Sequence, residues 1–91
     1  MQEFICTKKQ AKELDGLAFW VAELYNIREL FPNDRRNLDR CDESIRFAMD
    51  QLDRLAVPFW AQNAVINWAE NWHNISSHDL RQAMKSRGVI M

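Results

Sequence analysis

Along residues 8–30, apolar side chains return at the three- and four-residue spacing of a helix. Leu14, Leu17, Ala18, Val21, Leu24 and Tyr25 share one broad face at about 100° per residue. Thr7 with Gln10 three positions later is a capping-box pair, and Pro32 stops the run, so the spacing predicts a first helix over 8–30. Gly16, preceded by Asp15, costs about 1 kcal/mol in a helix interior relative to Ala and marks where a kink or short break would fall.

Leu38, Cys41, Ile45, Ala48, Leu52 and Leu55 repeat at the same spacings and predict a second helix over 34–56, capped by Asn33 or Asp34. Asp42, Arg46, Asp50 and Arg54 alternate in sign on its outer side. That alternation suits a solvated face and adds about 0.2–0.5 kcal/mol per pair. Pro58 suits a first helical position and opens a third helix over 58–74, with Ala61, Ala64, Val65, Trp68, Ala69, Trp72 and Ile75 as its core stripe and Glu70 as its only charged residue. Ser76 with Asp79 is a second capping box, and Ile75 can staple onto Leu80, which starts a fourth helix over 77–87. Gly88 takes the left-handed closing position, with Val89 folded back on Met84. The apolar tails, Phe4–Ile5 and Val89–Met91, then cover an open core edge, and a short pairing between them is one way to do so.

Composition narrows the class. Of 91 residues, 47% are hydrophobic and 27% charged, which fits one globular domain over 1–91. Two Gly and two Pro are too few for the turns of an all-β domain. The expected fold class is all-α, a compact four-helix domain. Twelve basic against thirteen acidic residues give a net charge of −1, so no global field gathers nucleic acid or anionic membrane. The start of the chain lacks a basic region followed by an apolar stretch, and no run of about 18 apolar residues could span a bilayer. A cytoplasmic location is expected, with Cys6 and Cys41 reduced and the Asn74-Ile75-Ser76 sequon unused.

Chemical motifs are sparse. Ser77, His78 and Asp79 imitate a triad in name only, because neighbours on a helix point about 100° apart and capping already accounts for Asp79. Two Cys and two His lack the short paired spacings of a zinc site. There is no P-loop and no dinucleotide fingerprint. The expectation is a protein that is not an enzyme and uses no cofactor or metal.

The remaining signal is a surplus of large apolar side chains off the core stripes. Phe19 and Leu30 point roughly 140–160° away from Leu14, and Phe47 lies among charges off the second helix's seam. On the third helix Phe59 and Ile66 oppose Ala61 and Trp68, beside an uncharged stripe of Trp60, Asn63, Asn67, Asn71 and Asn74. Aromatic, charge-poor surface resembles the centre of a protein interface. Burying the Asn side chains inside the domain would cost about 1–3 kcal/mol for each unsatisfied group. The blander account is that a central third helix is covered on several sides and absorbs Phe59, Ile66 and Phe47. The expected function is a protein–protein interaction module, such as an inhibitor, adaptor or assembly subunit, of the kind small phage or mobile-element chains provide. It would bind another protein or a second copy through Phe59, Trp60, Asn63, Ile66 and Asn67, joined by Phe19 and Phe47. The alternative is a helix-turn-helix DNA-binding regulator, with Arg81 and Gln82 near bases and Lys85 and Arg87 on phosphates.

Overall fold

The computed structural model describes residues 2–71 and 77–91, Ser77 by its backbone only. In chain order the elements are β1 (Phe4–Ile5), α1 (Lys8–Leu30), α2 (Arg35–Arg54), α3 (Phe59–Ala69), α4 (Ser77–Lys85) and β2 (Val89–Ile90). The fold is the all-α four-helix domain that the periodicity predicts. At 23 residues α1 is about 35 Å long and sets the 40 Å long dimension of the molecule. Its most extensive packing is with α2, and its next with α3; α4 touches both α1 and α3. Leu14, Leu17, Ala18 and Val21 of α1 meet Ala48 and Leu52 of α2, Ala61, Val65, Trp68 and Ala69 of α3, and Leu80 and Met84 of α4 in one core.

The α1 boundaries follow from its caps. Thr7 Oγ1 accepts the Gln10 N–H at 3.2 Å, and Gln10 Oε1 accepts the Thr7 N–H at 2.8 Å. The helix passes through Gly16 without the break its sequence suggested, because the flanking Leu14, Leu17 and Ala18 are fully buried and hold both halves on one axis. On α2, Asp34 is the cap, accepting from Asn37.

The corner between α2 and α3 was only partly legible. Val57 N–H returns to the Leu52 carbonyl and Ala56 N–H to that of Asp53, the two bonds of a Schellman close. Its left-handed position is filled by Ala56, at φ 59°, where glycine would be expected. Pro58, expected inside the helix, stands before it as the N-cap, with ψ 148°. Its carbonyl accepts from the Ala61 and Gln62 N–H groups. Two glutamines tie the corner. Gln10 Nε2 reaches from α1 to the Leu55 carbonyl at 2.8 Å. Gln62, fully buried, donates Nε2 to the Val57 carbonyl and to Asp53 Oδ1.

α3 also ends earlier than its stripe implied. The Asn71 side chain donates to the Asn67 carbonyl, replacing a backbone bond, and Glu70 turns to accept the Tyr25 hydroxyl of α1 at 3.2 Å. The expected roles of Trp72, His73, Asn74, Ile75 and Ser76, including the second capping box and the staple, lie outside the described residues. α4 stops at Lys85, where Ser86 Oγ and Arg87 Nη1 both donate to the Ala83 carbonyl.

The tails pair. β1 and β2 run parallel, with Phe4 opposite Val89 and Ile5 opposite Ile90. Gly88, at φ 86°, permits this twice over: its conformation disfavours a side chain, and a Cβ there would sit on the Gln2 carbonyl oxygen.

Two substitutions test the corner. Gln10→Glu preserves the acceptor of the capping box but removes the donor to Leu55, and denaturant unfolding should show a loss of about 1–2 kcal/mol; an unchanged midpoint would show that the bond contributes nothing. Ala56→Gly relieves the left-handed alanine and should raise stability by about 0.5–1 kcal/mol, several degrees in Tm.

Candidate interaction surface

The seven side chains that the sequence groups as one binding surface fall into two places. Phe59 is 65% exposed at the start of α3, and Asn63 and Asn67 are exposed along the same helix. Trp60 and Ile66 are half-buried against the core, so the middle of that patch is packing surface. Asn63, Asn67 and Asn71 face solvent, and their desolvation therefore places no demand on a partner.

Phe19 and Phe47 belong elsewhere, to the face shared by α1 and α2. Phe19 is 52% exposed and Phe47 66% exposed. Between them lies Trp20, its ring in a T-shaped pair with Phe19 at 5.1 Å between centroids and its face against the Arg40 guanidinium at 5.8 Å. A depression of about 510 Å³ is lined by Glu13, Gly16, Trp20, Glu43, Ser44, Phe47 and Ala48. A second, of about 300 Å³, contains Phe19, Trp20, Glu23, Ile27, Asn37, Arg40 and Cys41. A third continues past Glu23 and Ile27 to Leu30 and Phe31. Successive depressions share Trp20, then Glu23 and Ile27, so they form one furrow, and no residue of α3 lines it. The helical period explains the alignment: positions 16, 20, 23, 27 and 30 of α1 run down one side of that helix, and 37, 40, 44 and 47 down one side of α2.

Gly16 stands on the wall of this furrow. A Cβ built there meets nothing within 4 Å, so no contact within the described chain requires a glycine at this helical position.

Two of the C-terminal cations, Arg81 and Arg87, have partners inside the chain. Arg81 Nη2 pairs with Asp15 Oδ2 at 3.3 Å, and Arg87 bonds the Ala83 carbonyl; Gln82 and Lys85 are exposed. Burial pushes the Asp15 carboxyl above its ordinary range, opposed by Arg81. Its other oxygen, Oδ1, is buried without a hydrogen-bond partner. Burial also raises the Cys6 thiol, and raises Cys41 with help from the Glu23 and Asp42 carboxylates, the reverse of what an activated nucleophile needs. Among the described residues no three His, Cys, Asp or Glu side chains gather as a metal site, and no helix is long and apolar enough to cross a membrane.

Gly16→Ala should raise stability by about 1 kcal/mol, the helix-propensity difference, in thermal or denaturant unfolding; a loss of stability would mean that the furrow is closed in solution. No protein-family model matches the chain, and no curated protein or solved structure matches it.

Proposed function

We propose that this chain is a non-enzymatic protein–protein interaction module and that its docking surface is the α1–α2 face. The observation that carries this reading is the exposure of Phe19 and Phe47 on either side of the half-buried Trp20, along a furrow whose wall contains a glycine. Exposed aromatic side chains are costly to leave in water. Covering one Phe contributes about 1.5–3 kcal/mol, enough to change affinity by tenfold or more. Aromatic anchors set in a concave surface are the usual centres of interface energy.

Phe59, with Asn63 and Asn67, remains a second exposed stripe on α3, apart from the furrow. A DNA-binding regulator using Arg81, Gln82, Lys85 and Arg87 has less support, because Arg81 faces a carboxylate and Arg87 closes α4.

Affinity capture from host lysate, comparing wild type with Phe47→Asp, Phe59→Asp and Arg81→Ala, distinguishes these surfaces. The expected result is a partner retained by wild type, Phe59→Asp and Arg81→Ala and lost with Phe47→Asp, each variant shown folded by circular dichroism. Capture unaffected by Phe47→Asp would overturn the assignment.

A further inference from the structure

We propose that the α1–α2 furrow takes a basic amphipathic helix, with apolar side chains on the furrow floor and Lys or Arg on its flanks. This rests on the interaction reading above and specifies the partner's chemistry. The shape of the furrow suits a helix. From Glu13 to Leu30 the α1 side of the furrow is about 26 Å long, the length of a helix of about 17 residues. The missing side chain at Gly16 opens the 510 Å³ depression beside Trp20 and Phe47, room for a large apolar anchor. A helix lying in a groove presents such anchors at three- and four-residue spacing.

The charge of the furrow favours a basic one. Glu13 and Glu43 stand at one end of the furrow and Glu23 in its middle, and none of them forms an ion pair among the described residues. The lining cation is Arg40, whose guanidinium already rests on Trp20. Three carboxylates against one guanidinium leave the lining at −2. A neutral or acidic helix would cover these carboxylates without compensation, whereas a basic one pairs them as it covers the aromatics. The α2 face of a second copy lacks that complement, because its outer side alternates Asp42, Arg46, Asp50 and Arg54, and the whole chain carries −1.

Fluorescence anisotropy with two labelled model peptides of about 17 residues, one a Leu–Lys amphipathic helix and the other its Leu–Glu counterpart, tests the proposal. The Leu–Lys helix should bind wild type, more weakly as salt is raised, and the Leu–Glu helix should not. Glu13→Lys with Glu43→Lys should weaken Leu–Lys binding at least about tenfold and admit the Leu–Glu helix. Gly16→Leu, whose Cβ meets nothing within 4 Å, should block the Leu–Lys helix while the far-ultraviolet spectrum stays native. Equal binding of both peptides to wild type, or Leu–Lys binding unchanged by charge reversal or by Gly16→Leu, would overturn it. So would a wild-type dimer in light scattering that Gly16→Leu dissociates, since the occupant is then a second copy. If Phe47→Asp still abolishes capture from lysate while the peptides show no charge preference, the interaction reading stands and the basic-helix assignment falls.

Discussion

A helix some 35 Å long with apolar side chains over much of its circumference cannot be covered by one neighbour. In this protein α2 takes one flank of α1, and α3 with α4 takes another, so that Leu14, Leu17 and Ala18 lose all contact with solvent. The rest of the architecture follows from that requirement. The second, third and fourth helices lie where they cover α1, and the side of α1 that they leave partly open, beside α2, carries Phe19, Glu23 and Leu30. Surface and core are thus two consequences of one packing arrangement.

Keeping two layers on one helix depends on where the chain turns between them, and polar side chains set that turn. Gln10 satisfies the start of α1 with its oxygen and the end of α2 with its nitrogen, so a single amide links a local cap to a tertiary contact. Gln62 provides the matching bonds from α3. At the opposite extreme of the sequence, the Gly88 backbone lets β2 meet β1, joining the two ends of the chain in a short parallel pair over the core edge.

Most of the helices could be read from residue spacing because their signals are local. The capping box at Thr7, the stop at Pro32, the α2 seam and the glycine after α4 each act within a few residues. What could not be read depends on neighbours far along the chain. Gln62 looks like a surface residue until Val57 and Asp53 are seen beside it, and Ala56 gives no compositional sign of its left-handed backbone. The same limit explains the divided binding surface. Periodicity fixes the angle of Phe19, Phe47 and Phe59 about their own helices but not which helix stands opposite, so the pattern groups three off-stripe aromatics although only Phe19 and Phe47 flank one furrow. Burying the Asn side chains of α3 would be costly, and that cost does not arise at Asn63 and Asn67, which face water.

The most direct test of the account is fluorine NMR of the protein labelled at its five phenylalanines, read through the solvent-isotope shift of each ring as a Leu–Lys helix is added. Before addition, Phe19, Phe31, Phe47 and Phe59 should all report contact with water. The account predicts that Phe19 and Phe47 lose that contact on binding while Phe59 keeps it. Shielding of Phe59 with Phe19 and Phe47 unchanged would contradict it and place docking on α3.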